Sequence, residues 1–164
     1  MRSVLTALSI LLAGAAFASD TEPSHDQDAH KAEAGGVVIL HPWAQATTGT
    51  FVRIYMEIEN ENHDAVTLMG GDAHGVAESV LVYAAPVKPG AAPKAIGDLV
   101  IAEESHMELT PGGVYLQLDG LKHPLAKGDR FEMHVEIAPI GEMEVIVEVE
   151  AANATQHSHA GHAH

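Results

Sequence analysis

Apolar and polar residues alternate with period two over much of the chain between Val37 and Glu150. Phe51 to Asn60 is the clearest stretch: Val52, Ile54, Met56 and Ile58 fall on one face, and Arg53, Tyr55, Glu57 and Glu59 on the other. Successive side chains of a strand point to opposite faces, so this pattern predicts a half-buried strand. The alternation returns at Phe131, Met133, Val135 and Ile137, and again at Met143, Val145, Val147 and Val149. These two runs are expected to pair antiparallel across 138–142. Shorter runs at 65–69, 76–83, 95–101, 104–109 and 114–119 are bounded by turn formers, as strands of a sandwich or barrel are. Pro86, Pro89, Gly90 and Pro93 predict a long loop, and Pro111-Gly112-Gly113 predicts a turn that pairs its two flanking strands. No window sustains a helical period. The reading is an all-β domain of seven to nine strands.

The two ends of the chain break the pattern. Met1-Arg2, the apolar run Val4 to Ala16 and the small-x-small motif Ala16-Phe17-Ala18 predict a signal peptide over 1–18. That run is too short to span a bilayer, so no membrane insertion is expected after cleavage. Residues 19–36 are acidic and alanine-rich, carry His25 and His30, and predict a disordered leader. The β-domain is expected over 37–152, and 153–164 is expected to be a disordered, histidine-rich tail.

Charge and composition then narrow the chemistry. The chain carries 23 Asp and Glu against 8 Lys and Arg, a formal net charge of −15, which argues against a nucleic-acid partner. Such a field gathers cations. With no cysteine, stability must come from burial, and any metal ligands must be imidazole, carboxylate or thioether. The tail supplies imidazoles at His157, His159, His162 and His164, spaced by small residues that let the chain fold back around one ion. Neutral imidazole suits copper, zinc and nickel, and because each ring must first shed its proton, affinity should fall as pH drops through roughly 6 to 7. No His-Glu-x-x-His, no Gly-x-Ser-x-Gly and no phosphate-cradling glycine loop is present, so no enzyme is expected.

Several landmarks go further. His41-Pro42-Trp43-Ala44, the Tyr55 strand ending in Asn60, Leu109-Thr110-Pro111-Gly112-Gly113, and Gly120-Leu121-Lys122-His123-Pro124-Leu125 with Lys127-Gly128-Asp129 make residues 38–149 resemble the periplasmic copper chaperones of the PCuAC type. The resemblance implies a cupredoxin-like, immunoglobulin-like β-sandwich and a periplasmic copper carrier that hands its ion to an exported or membrane protein. It also implies a Cu(I) site of two histidines and two methionines. Here those positions fall on Tyr115 and Gln117, near Tyr83, and near Pro93 or Lys94, so none carries a His or Met. A phenol and an amide do not replace soft thioethers. The Cu(I) site is therefore expected to be absent, with Tyr83, Tyr115 and Gln117 as packing or surface residues.

The remaining donors are read one by one. His41 and His123 each precede a proline, which holds the chain extended at a strand end and can present imidazole at the rim. If they meet, a two-histidine Cu(II) or Zn(II) site with a nearby carboxylate is sensible chemistry. His106 and Met107 are neighbours on a strand, point to opposite faces and cannot together grip one ion. Met56, Met133 and Met143 are expected in the core; His63, His74 and His134 are expected on the surface. The expectation is a copper-binding chaperone that prefers Cu(II), held by His157, His159, His162, His164, His41, His123, His25 and His30. A zinc or nickel buffer, or a metal-independent interaction module on a decayed copper site, stands as the alternative.

Overall fold

The computed structural model describes residues 30–158. The signal peptide, most of the leader with His25, and the tail residues His159, His162 and His164 lie outside the described residues. Among the described residues are eleven strands: β1 (Lys31–Ala34), β2 (Val37–Gln45), β3 (Phe51–Asn60), β4 (Val66–Asp72), β5 (Ser79–Ala84), β6 (Lys94–Ala95), β7 (Leu99–Ile101), β8 (Ser105–Leu109), β9 (Val114–Asp119), β10 (Arg130–Ala138) and β11 (Gly141–Glu150). No described helix is long and apolar enough to cross a membrane.

Seven strands close on themselves. The path runs β2-β11-β10-β4-β5-β9-β3, and β3 pairs back onto β2, so the expected sandwich is one sheet curled into a barrel. Closure removes most free edges. All of these ladders are antiparallel except β11 with β2, where Glu148, Val149 and Glu150 run parallel to Trp43, Ala44 and Gln45. Inside lie Ile39, Ile54, Ile58, Leu68, Leu116, Leu118, Val135, Ile137 and Val147, none with exposed surface. Each contributes about 1.5–3 kcal/mol by leaving water. Met56, Met133 and Met143 join them, as their strand phase predicts.

Three differences from the sequence reading have local causes. The strand count exceeds nine because β1, β6 and β7 are short: β1 lies within the expected leader, where Lys31-Ala32-Glu33-Ala34 lacks large apolar residues but pairs with Val37–Leu40 across a Gly35-Gly36 turn. Residues 95–101, read as one strand, divide between β6 on β5 and β7 on β4. Strands β8 and β9 do not form the hairpin predicted for Pro111-Gly112-Gly113. Both lie along β3, with β8 beside Met56–Asn60 and β9 beside Phe51–Ile54, so the glycine turn interrupts what is otherwise one long partner of β3.

Gly71 sits where β4 meets β10 most closely. A Cβ there would run into the backbone oxygen of His134, with His134 carbonyl carbon at 3.2 Å and Val135 Cα at 3.3 Å. Backbone cannot swing aside as a side chain can. Gly71→Ala should therefore destabilise the fold by about 2–3 kcal/mol, measured as a lowered urea midpoint.

Candidate metal centre

The geometry begins with a fault in β2. Leu40 pairs with Glu57 and Trp43 with Tyr55, so one extra residue is inserted at His41-Pro42. Proline has no N–H for the ladder, and His41 takes the left-handed conformation with φ 50°. A bulge of this kind inverts the alternation beyond it. Val37 and Ile39 point into the barrel before it and Ala44 points in after it, which turns Trp43 outward. The inserted His41 is left at the rim, half-buried.

The chain beyond β11 then returns over this rim. The Gln45 side-chain amide donates to the Ala154 carbonyl at 2.7 Å, and Ala154 packs against the cluster of Trp43, Tyr55 and Tyr115. Ser158 donates to Glu150 from its backbone N–H at 2.8 Å and from its hydroxyl at 2.5 Å. Anchored on both sides, His157 is carried inward and is only 2% exposed, although it stands in an irregular segment of a polar tail.

His157 meets two other imidazoles there. His30, His41 and His157 each offer one ring nitrogen, and all three nitrogens lie within 4.8 Å of one another. The ring centroids are 5.2–6.0 Å apart. Two carboxylates from the end of β11 complete the surroundings. His157 Nε2 is 3.2 Å from Glu148 Oε2, His157 Nδ1 is 3.1 Å from Glu150 Oε1, and His30 Nδ1 is 4.0 Å from the same Glu148 oxygen. Arg130 also pairs with Glu148. Burial pushes the Glu150 carboxyl up, but the two Ser158 bonds and the neighbouring His157 outweigh it and hold the group below the ordinary range. The donor set is three nitrogens with oxygen beside them, which suits Cu(II), Zn(II) or Ni(II) in tetrahedral or tetragonal coordination. An open groove of about 360 Å³, with His41, Trp43, Met56, Pro111 and His157 in its walls, leads to it.

His123 is not part of this group. It is exposed in the loop after β9, its Nδ1 3.3 Å from the Pro124 carbonyl oxygen, and the expected pairing of His41 with His123 is replaced by that of His41 with His30 and His157. The reason is topological: His41 lies within β2, beside the start of β1 and under the returning residues 151–158, whereas the His123 loop is tied through Leu125 to Thr47, beyond the end of β2. His63 and His74 make exposed pairs with Glu104 and Asp72. His134 is half-buried between Glu132 and Glu144, a second, more exposed group of donors. Met107 packs on the core while His106 is exposed. Glu148 and Glu150 were missed: the acidic face of β11 was visible in the sequence, but nothing there says which of its carboxylates faces the histidines.

Two of the positions that the resemblance assigns to Cu(I), Tyr83 and Tyr115, stand in aromatic packing. Trp43, Tyr55, Tyr115 and Tyr83 form a row across β2, β3, β9 and β5, with centroid distances of 4.6, 6.3 and 6.1 Å and the last pair stacked. Tyr55, read as outward-facing, is fully buried because Trp43 and Tyr115 cover it from either side. Burial pushes the Tyr55 and Tyr115 phenols up, with Arg53 pulling the other way. A raised folded pKa means that above about pH 10 the unfolded chain releases protons which the folded chain still holds, so stability is intact below that pH and falls as pH rises further. Spectrophotometric titration at alkaline pH should show part of the phenolate signal appearing late, together with unfolding.

Solved structures share this architecture. An apo PmoF2 PCuAC domain is 22% identical over 77% of this chain and 99% of its own, with a TM-score of 0.64. A copper-bound PCuAC domain from PmoF2 is 24% identical over 74% of this chain and 98% of its own, with a TM-score of 0.63. The solution structure of CuI-DR1885 from Deinococcus radiodurans is 18% identical over 81% and 89%, with a TM-score of 0.59. At these identities the likeness establishes a shared fold, the PCuAC fold. No curated protein matches the sequence. The family model described as "lipoprotein LpqE-like" matches residues 37–149. That match runs from the start of β2 to Val149 in β11, and the chain belongs to the LpqE-like family.

Proposed function

We propose that this protein is a periplasmic copper-binding chaperone whose cargo ion is held by His30, His41 and His157, with Glu148 as the adjoining oxygen donor. One observation carries the reading: three imidazoles, from just before β1, from the β2 bulge and from the segment after β11, bring a nitrogen each within 4.8 Å of one another. The fold shared with a copper-bound PCuAC domain supports copper as the cargo. Nitrogen and oxygen donors favour Cu(II) over Cu(I). Glu150, with its Oε1 3.1 Å from His157 Nδ1, braces that ring as carboxylates commonly brace metal-bound imidazoles. The signal sequence supports export, and the family's lipoprotein description is consistent with it. A site closed by the irregular segment 151–158 can open by releasing one ligand, which suits handing the ion to an acceptor protein.

The test compares Cu(II), Cu(I), Zn(II) and Ni(II) binding by the intact chain, by His41→Ala, and by a variant with His159, His162 and His164 all replaced by alanine. One tight Cu(II) equivalent should survive the triple substitution and be lost in His41→Ala. Loss in the triple variant with retention in His41→Ala would place the metal in the tail and overturn the reading. Binding of none of the ions would favour a metal-independent interaction module.

A further inference from the structure

Arg53 is a sheltered cation that meets no carboxylate among the described residues. Acidic residues outnumber basic ones 23 to 8, and Lys31 and Arg130 each meet a carboxylate. Exposed lysines need none, because water solvates them. Arg53 is half-buried on the outer face of β3, its guanidinium carbon 5.6 Å from the Phe51 ring centroid and 5.0 Å from that of Tyr115. Among the described residues its Nε–H is sealed from solvent with no acceptor, and the phenol oxygens of Tyr55 and Tyr115 lie against the guanidinium while their own O–H groups find no acceptor. A guanidinium has five donors and no lone pair, so it cannot accept a proton from either phenol. Gln117 faces Arg53 across the β3–β9 ladder and gives its amide to Asp119 at 2.9 Å. The Nε–H and the two phenol hydroxyls are thus buried donors without an acceptor among the described residues, a state that folded proteins rarely leave unexplained.

A groove of about 270 Å³ opens onto Arg53, walled by Gln45, Thr47, Phe51 and Ala152. We propose that this groove binds a carboxylate group, with the edge of the Arg53 guanidinium as its fork, the carboxylate belonging either to a free small acid or to a partner polypeptide. The planar guanidinium, flanked by two rings, presents paired N–H groups that match a planar carboxylate. A single negative charge fits better than a phosphate, because Arg53 is the one cation among the described residues that line the groove and the net charge of −15 opposes more. At physiological ionic strength that long-range field is screened beyond about 8 Å, so the local cation decides. The groove is separate from the imidazole cluster: neither Arg53 nor any other lining residue belongs to it.

The chain has three arginines, Arg2, Arg53 and Arg130, so the Nε–H signal of Arg53 is readily assigned in the ¹⁵N-labelled intact protein. Sodium acetate should shift that signal saturably, with a dissociation constant on the order of millimolar as expected for so few ligand atoms. Sodium chloride at equal ionic strength should not. Acetyl-Ala-Ala with a free carboxylate should bind as well or better, and its C-terminal amide should not bind. A peptide at least tenfold tighter than acetate identifies a polypeptide source, and equal affinities identify a small acid. Arg53→Gln should abolish the response, and Arg53→Lys, which keeps charge but loses the fork and should fold even if the first does not, should weaken it about tenfold. No saturable shift with acetate or peptide, an equal shift with chloride, or unchanged affinity in Arg53→Lys overturns the proposal.

Discussion

Replacing His157 by alanine should lower Cu(II) affinity by at least about a hundredfold, since even the residues that only orient metal ligands typically contribute 10–100-fold. The side chain supplies one of three nitrogens and faces both Glu148 and Glu150. Its removal also takes away the buried group that holds the end of residues 151–158 against the barrel, leaving the Gln45–Ala154 and Ser158–Glu150 bonds to hold it. Amide exchange over 151–158 should therefore quicken in the metal-free variant, and added Cu(II) should no longer slow it. Glu150→Gln keeps the hydrogen-bonding shape but not the charge and should weaken binding by about 10–100-fold. Competition titration against a chelator of known affinity measures both. Affinity unchanged in His157→Ala would show that the tail histidine is packed there for structure alone.

The barrel was legible in the sequence because period-two alternation records burial directly. The Phe51–Asn60 and Val114–Asp119 strands begin and end where the pattern places them. What could not be read was pairing across distance. The Pro111 turn carries hairpin chemistry, yet β3 outcompetes the local partner, because it offers both β8 and β9 a ladder on one long, already ordered strand. The metal centre follows the same rule. His30, His41 and His157 were each marked as donors from composition and position, but their meeting depends on a one-residue bulge and on a terminal segment folding back, neither of which has a periodic signature. His123 sits in a similar His-Pro step, but in an exposed loop tied through Leu125 to Thr47 beyond the end of β2. Tyr55 was misplaced for a related reason: its phase is outward, and it is buried only because aromatic residues from neighbouring strands and the returning tail build a second small core outside the barrel.

That outer core makes the second large prediction. Trp43→Ala should destabilise the protein by about 3–5 kcal/mol, the range for truncating a buried large aromatic. Trp43 is 6% exposed, lies against Tyr55 at 4.6 Å, forms a wall of the groove leading to the histidines, and belongs to the cluster that seats Ala154. The vacated space cannot be refilled easily, because Trp43 is fixed by its parallel pairing to Glu148 and by the bulge immediately before it. Urea unfolding should show the loss, and Cu(II) affinity should fall with it as the tail loses its platform. Tyr55→Phe provides the contrast. Its hydroxyl is buried without a hydrogen-bond partner, so deleting the oxygen while keeping the ring should leave stability within about 0.5 kcal/mol of the parent or raise it. If Tyr55→Phe proved as damaging as Trp43→Ala, the row would depend on its polar atoms, and packing would not be what holds the tail in place.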